Sequence, residues 1–450
     1  MAASLADGAS QVDRERERPL TVALNAQVNP ANPGGAESAI RGMLRHFAQH
    51  AEPSERIVAL ATRRYASDVE QWTSAGQRVV AWPFQQPAYA PFRSLSRRWQ
   101  RARRRAGPLG PGIDLAHRVW WSALQKLTRP PSAADADRVL RAHGVDLVHF
   151  PYAVHFPTTL PFVYEPLDLQ HRHLPNFFSP GEVAWRDGVY RSGCERARLI
   201  VTGTRWTKQD IVGEYGIDPR KIAVISIQSD MQASGSGDGA GDAARLVRTY
   251  ALPERFLLYP AMTFPHKNHV RLFKALAILR DRHGVTLTLV CTGRPYEPHE
   301  PALRAAIERL GVQGQVRMLG AVPTDDLIAL YRAAWVLVFP SLFEGIGMPV
   351  LEALQYDLPV LTSNATCLPE VAGDAALYFD PTRADAIADA ILTAERNPAL
   401  LEQHRSVAPA VLARFSWPEA ARTYLACYRA VAGLPLTAEQ RHRFEEAIAR

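Results

Sequence analysis

Short apolar segments alternate with helix-patterned ones along almost the whole chain, and the alternation is broken only once. Before the break come LTVALNA (20–26), RIVALAT (56–62), DLVHF (146–150), RLIVTGT (198–204) and KIAVISI (221–227). Between them lie stretches with helical spacing, such as AESAIRGMLRHFA, DVEQWTSAG and RWTKQDIVGEYG. Strands this short and this apolar need cover on both faces, which a parallel sheet flanked by helices supplies. The break is SDMQASGSGDGAGD (229–242), small, polar and glycine-rich, the composition of a flexible linker. A second alternation then runs through RFLLYPA, TLTLVCTG, VRMLG, WVLVFP and PVLTS, with helical stretches between them.

The pattern therefore predicts an α/β fold with two doubly wound domains, and 450 residues is too long a chain for one ordinary core. The expected organisation is a disordered leader at 1–18, a first Rossmann-like domain at 19–228 and a linker at 229–250. A second such domain follows at 251–415. Helices at 416–450, opened by Ser416 as N-cap ahead of Pro418, are expected to return to the first domain.

Composition excludes several classes. No apolar run approaches the ~18 residues of a membrane span. Cys194, Cys291, Cys367 and Cys427 share no CxxC spacing, which speaks against a zinc site or a disulfide framework and for a reducing cytoplasm. The net charge is +7, and RSLSRRWQRARRR (93–105) alone holds seven arginines and no acid. Phe92, Leu95, Trp99 and Ala102 recur there at helical spacing, and LAHRVWWSALQKL adds Trp120 and Trp121. One reading is a helix lying on an anionic membrane surface, the other a solvated amphipathic helix packed on the first domain. Nucleic acid is not indicated, because no recognition motif accompanies the charge.

The most informative stretch is FEGIGMPVLEALQYDLPV (343–360). WVLVF reads as a buried strand, so Glu344 falls on the loop at its C-terminal edge, where ligands bind in open α/β sheets. Helical spacing resumes at Val350, Leu351 and Leu354, which places Glu352 about a turn inside a helix. Gly345 and Gly347 are expected to let the backbone turn tightly and to open the N–H groups of residues 346–348 to a ligand. Those groups lie at a helix N-terminus, which favours a phosphate, and Pro349 suits the first turn. Carboxylates bind hydroxyls better than phosphates, so the stretch suits a phosphorylated, hydroxyl-rich molecule.

FPSLFEGIGMPVLEAL resembles the E-x7-E motif of family 4 glycosyltransferases, which have the GT-B fold of two Rossmann-like domains facing across a cleft. YPAMTFPHKNHVRLFKAL, SNATCLPEVAGDAALYFDP, GGAESAIRGML, VTGTRWTKQDIVGEYGI and FSWPEAARTYL are similar to further segments of that family, from about residue 20 to 430. The resemblance implies a nucleoside-diphosphate-sugar donor and transfer with retention of anomeric configuration, without metal or other cofactor. It implies that Glu352 binds the ribose hydroxyls, that Glu344 lies against the transferred sugar, and that Lys267 places its ammonium on the diphosphate. It also implies that the backbone of Gly345, Ile346, Gly347 and Met348 holds the diphosphate. Thr292, Gly293, Leu319 and Gly320 would face the base or phosphates at other strand ends, and Gly34 and Gly35 would close the cleft from the first domain.

Two positions depart from the family. Ala261 stands where an arginine is frequent six residues before the lysine, leaving the diphosphate to Lys267, the backbone and His266. In YEPLDLQHRHLPNFFS, Leu167 precedes Asp168 where histidine is common; Asp168, His171 and His173 are candidates for sugar or acceptor contact or, as plain core histidines, for none. Asp135–Asp137 (DAD) looks like a metal-binding Asp-x-Asp but reads more simply as acids at a helix start. The resemblance implies a hexosyltransferase of mannosyl or glucosyl type, acting on a glycan or lipid-linked glycan in surface polysaccharide assembly, cytoplasmic or peripheral at the inner face of the cytoplasmic membrane. The alternatives are a non-catalytic glycan- or nucleotide-sugar-binding subunit of the same fold, and a glycoside hydrolase using Glu344 and Glu352.

Overall fold

The computed structural model describes residues 19–29, 35–84, 131–231, 245–246 and 248–450. The leader 1–18, Gly34, the basic stretch 92–105, the Trp120–Trp121 segment and most of the expected linker lie outside the described residues.

Two parallel sheets carry the fold. The first holds β1 (Leu20–Asn25), β2 (Glu55–Thr62), β3 (Gln77–Trp82), β4 (Leu147–Phe150), β5 (Phe162–Tyr164), β6 (Leu199–Thr202) and β7 (Ile222–Val224), in the order β3-β2-β1-β4-β5-β6-β7. The second holds β8 (Phe256–Pro260), β9 (Thr288–Thr292), β10 (Val316–Gly320), β11 (Val336–Phe339), β12 (Val360–Ser363) and β13 (Ala376–Phe379), in the order β10-β9-β8-β11-β12-β13. Every pairing between them is parallel. The central strands FLLYP and VLVF are buried at every position, because helices cover both faces.

Strand order reverses between β1 and β4 in the first sheet and between β8 and β11 in the second. At such a reversal the loops leaving the two strands diverge to opposite faces and open a crevice at the carboxyl edge. In the second sheet those two loops are the ones that carry Lys267 and Glu344.

The helix Trp417–Val431 packs against the helix Gly35–His50 of the first sheet's layer, with Trp417 directly over Gly42. A Cβ at Gly42 would lie 2.3 Å from the Trp417 ring, so only glycine admits this approach. A buried polar chain ties the same helix to β4 and β5. Tyr428 OH lies 2.7 Å from His149 Nδ1, His149 Nε2 lies 2.9 Å from Glu165 Oε1, and Tyr424 OH donates to that same oxygen at 2.8 Å. All four side chains are buried, and each polar group in the chain has a partner, which removes the penalty of desolvating it. Among the described residues the chain passes from the first sheet towards the second at 225–231, and the helix Trp417–Val431 comes back to the first.

Candidate active site

The loop after β8 folds into a short 3-10 turn, Pro265–Lys267, followed by Asn268 with φ 64°. Asparagine tolerates this left-handed backbone better than most residues, and its side chain holds it there by donating to Pro340 O at 2.9 Å and Pro381 O at 2.7 Å. Tyr259 OH donates to the Lys267 carbonyl, and Lys267 N donates to Phe264 O at 3.0 Å. The backbone of Lys267 is thus fixed from both sides. Its side chain reaches Glu344 Oε1 with Nζ at 2.5 Å, and the two side chains are 16% and 12% exposed. Glu344 N donates to Thr366 Oγ1 at 3.2 Å, anchoring the second loop to the segment after β12.

Three residues further on, Gly347 takes φ 82° as N-cap of the helix Met348–Gln355, with Pro349 in its first turn. This is the conformation that glycine adopts without strain. Val350, Leu351, Ala353 and Leu354 bury one face of the helix, each valine or leucine worth roughly 1.5–3 kcal/mol. That burial holds the N-terminus of the helix still beside the Lys267–Glu344 pair. Glu352 lies on the other face, half-buried. Tyr331 OH donates to its Oε2 at 2.6 Å and Ser229 Oγ to its Oε1 at 2.9 Å. Burial raises the Glu352 carboxyl above its ordinary value, and the two hydroxyls oppose the rise.

Gly345 serves a different purpose from the tight turn expected of it. Its φ is not in the left-handed region, but a Cβ there would meet Leu167 O at 2.2 Å and Asp168 Cβ at 3.3 Å. It is a contact between the two halves of the molecule. The Gly345 carbonyl accepts from Thr204 Oγ1 at 3.0 Å and Thr207 Oγ1 at 3.2 Å, and Ile346 packs on Gly203. From the other direction Glu370 places its carboxylate on the N-terminus of the helix Arg205–Tyr215. It accepts from Arg205 N at 2.8 Å and Trp206 N at 2.9 Å. An anion on the first free N–H groups of a helix is the arrangement the helix dipole favours.

Asp168 therefore stands beside Gly345 and the Lys267–Glu344 pair. Its Oδ1 accepts from Gln170 N at 3.0 Å. Burial and the Glu344 charge push its carboxyl up, while the Gln170 N–H, Arg186 and Lys267 oppose this. Leu167 before it takes φ 69° and is 39% exposed, an apolar side chain in a strained conformation. His266 is half-buried with its ring stacked near Phe264, and burial together with Lys267 holds it well below the ordinary histidine value.

The remaining candidates fall elsewhere. His171 is 1% exposed and faces Tyr190 and Tyr215 inside the first domain, with its pKa lowered to about 4 by burial. His173 stacks on Phe343 and lies 2.6 Å from Asp210 Oδ1. With Glu214 these two are the one group among the described residues that could hold a metal ion, and Arg172 Nε already donates to Glu214 at 2.9 Å. Thr292, Gly293, Leu319 and Gly320 end β9 and β10. Gly293 N donates to Gly320 O at 2.8 Å, and φ 113° with Ala261 packed 2.6 Å from a built Cβ requires glycine at 293. Gly35 begins the helix Gly35–His50. Asp135 accepts from the N-cap Ser132, and Asp137 is held by Thr158 and Thr159, so the DAD stretch is structural. All four cysteines are free and buried.

Thr204, Thr207, Glu370, Ser229 and Tyr331 escaped the sequence reading. Thr204 and Glu370 carried weak signals, as an N-cap before RWT and as the acid in LPEVAG; Ser229 carried none.

Two parallel sheets, each with one reversal of strand order, form the GT-B fold found in solved glycosyltransferases. A glycosyltransferase from Rickettsia africae ESF-5 has TM-score 0.63 at 15% identity, over 92% of this chain and 98% of its own. HepE of Anabaena, solved with UDP and glucose, has TM-score 0.62 at 18% identity, over 91% and 100%. Residues 248–410, the segment bearing Lys267, Glu344 and Glu352, match the family model "Glycosyl transferases group 1". The O-antigen chain mannosyltransferase B of Escherichia coli is 29% identical over 259 residues, 57% of this chain and 66% of the relative. The D-inositol 3-phosphate glycosyltransferase of Corynebacterium glutamicum (strain R) is 30% identical over 205 residues, 44% of this chain and 49% of the relative. The chain thus spans about half to two-thirds of the length of these two curated relatives.

Proposed function

We propose that the protein is a retaining glycosyltransferase that moves a hexosyl unit from a nucleoside-diphosphate sugar to a glycan or lipid-linked glycan. The observation that carries this reading is the Lys267 ammonium 2.5 Å from Glu344 at the β8/β11 crevice, beside the N-terminus of the helix that bears Glu352. Transfer breaks the bond between the anomeric carbon and the diphosphate oxygen, and negative charge builds on that oxygen. A fixed ammonium and free N–H groups at Gly347–Met348 lower the barrier by meeting that charge where it develops. Glu344 accepts from hydroxyls of the transferred sugar, and Glu352 from the ribose. The acceptor oxygen forms its bond to the anomeric carbon on the face the diphosphate leaves, and its proton passes to the departing phosphate oxygen. This assignment needs no protein nucleophile. Lys267 supplies the cation at the diphosphate, so the reaction is expected to run without metal.

The mannosyl type is favoured by the name of the Escherichia coli relative, an O-antigen chain mannosyltransferase, which also favours a role in surface polysaccharide assembly. Asp168 and Leu167 face the sugar or acceptor from the first domain, and His171 is a core residue. Among the described residues no helix is long and apolar enough to cross a membrane. The arginines of 93–105 would give peripheral contact with anionic lipid at the inner membrane face.

Calorimetric titration with GDP, UDP and ADP, without metal and then with magnesium, tests the reading. Metal-independent binding of one diphosphate, lost in Glu352→Ala, is expected. No binding of any of the three would overturn it.

A further inference from the structure

The segment that leaves the first sheet after β7 has no regular structure from 225 to 231, yet three successive residues of it are tied to three different places. Ser229, 3% exposed, gives its hydroxyl to Glu352 Oε1 at 2.9 Å. Asp230 takes Arg45 Nη1 at 2.9 Å and lies 3.8 Å from His46 Nε2, both on the helix that begins at Gly35. The carbonyl of Met231 accepts from Tyr356 OH at 3.1 Å, one turn beyond Glu352. The strap therefore joins the helix Gly35–His50 of the first domain to the carboxylate of Glu352 in the second.

The two hydroxyls on Glu352 are not equivalent. Tyr331 belongs to the helix Thr324–Ala333 of the same domain, is fully buried and stacks on Tyr356, so it is part of the carboxylate's own support. Ser229 lies on the irregular segment that leaves the first sheet, which is anchored by the buried Ile225 and Ile227, by Met231 against the second core and by the Asp230–Arg45 ion pair. A carboxylate offers about four acceptor positions. Tyr331 takes one on Oε2 and Ser229 one on Oε1, so a vicinal diol reaching both oxygens must share Oε1 with the Ser229 hydroxyl.

We propose that the Ser229 hydroxyl and a ribose hydroxyl of the donor compete for Glu352 Oε1, so that nucleotide binding releases the 229–231 strap. This rests on the assignment of Glu352 to the ribose made above. Ser229 is then a positioning residue that acts through Glu352. Because Asp230 is its neighbour, its release loosens the hold on the helix that begins at Gly35. Donor binding and the position of the first domain's cleft edge become one event.

The sign of one substitution decides the matter. If Ser229 competes, Ser229→Ala removes the competitor and leaves Oε1 short of a partner that the ribose then supplies. GDP or UDP affinity should rise roughly three- to tenfold, the range for one net hydrogen bond. Ser229→Thr, which keeps the hydroxyl, should restore wild-type affinity. If Ser229 merely orients Glu352, Ser229→Ala weakens binding; unchanged or weaker binding overturns the proposal. In the wild-type protein, amide hydrogen exchange over 226–231 should quicken on adding GDP or UDP, and slower or unchanged exchange there also overturns it. Glu352→Gln separates the two levels. If it leaves nucleotide affinity intact, the ribose assignment itself falls, and this proposal with it. If it weakens binding while Ser229→Ala fails to strengthen it, only the competition is refuted.

Discussion

Gly345→Ala is the substitution whose consequence can be worked furthest from the geometry. The added methyl would sit 2.2 Å from the Leu167 carbonyl oxygen, while ordinary contact begins near 3.4 Å, so the two loops must part by about 1.2 Å. Neither side gives cheaply. Leu167 already holds φ 69°, and the Gly345 carbonyl is fixed by two threonine hydroxyls. Parting the loops stretches both of those hydrogen bonds, each worth about 0.5–1.5 kcal/mol, so the docked arrangement loses ~1–3 kcal/mol. A displacement of ~1 Å at reacting groups commonly costs ~10²-fold in rate, which matches the upper end of that range. The assay is release of nucleoside diphosphate from the donor identified by titration, with a melting curve alongside. Turnover should fall 10- to 100-fold while the melting temperature changes little, because Gly345 belongs to neither core. Gly203→Ala is the control: its methyl meets Ile346 Cδ1 at 2.4 Å and Cγ1 at 2.6 Å, side-chain atoms rather than backbone, and should cost a few-fold at most. Turnover within threefold of wild type for Gly345→Ala would refute the reasoning.

Other outcomes follow from the same geometry. Lys267→Ala should lower turnover at least ~10²-fold, the scale for loss of one charge-stabilising group, and an unchanged rate would remove Lys267 from the chemistry. Glu352→Gln should weaken nucleotide binding more than it slows turnover; the reverse pattern would exchange the roles of Glu344 and Glu352. Burial holds the fully buried His269 at about 3, so the unfolded chain takes up a proton below about 6.5 that the folded chain refuses. Stability should therefore be full above that pH and fall as pH drops towards 4, and urea unfolding of His269→Phe should lack about 1.4 kcal/mol per pH unit of that slope; parallel profiles would show that His269 does not titrate on unfolding. Replacing the arginines at 97, 98, 101 and 103–105 should abolish sedimentation with anionic vesicles, and a wild-type protein that never sediments would leave that segment with a solubility role only.

The layout of the sheets was legible because burial on both faces forces a strand to be apolar throughout, as in FLLYP and VLVF. Three strands were not read from the sequence, for physical reasons. β3 is an edge strand whose QRVVAW leaves four of its six residues in contact with water, so its apolar signal is diluted. β5 is only three residues long, within a proline-rich stretch, and β13 is an edge strand of the second sheet. At the site, Lys267 and Glu344 were visible because a strand-end loop is a local feature. The partners of Glu352 were not, since Ser229 lies 123 residues away and is brought there only by the docking of one sheet against the other. Gly345 shows the limit most clearly. Its sequence context suggested a turn, whereas what excludes a side chain is the carbonyl of Leu167, a contact no local pattern encodes.

Both carboxylates of the stretch 343–360 are engaged by protein groups, Glu344 by Lys267 and Glu352 by Ser229 and Tyr331. On the function proposed above, a donor would bind by exchange: its diphosphate would draw Lys267, and the oxygen so released on Glu344 would become available to a sugar hydroxyl. An exchanged hydrogen bond contributes far less net free energy than one formed by a group that was unpaired before. The ion pair would thus trade affinity for order, because Glu344 would be opened to the sugar only once the diphosphate had engaged the lysine. A free sugar, lacking the phosphates, meets a carboxylate already paired with a cation at 2.5 Å. It should bind far more weakly than the nucleotide sugar, and the gap should narrow in Lys267→Ala. Equal discrimination in the wild type and the variant, measured by competition against the bound nucleotide sugar, would mean that the pair does not gate the sugar site.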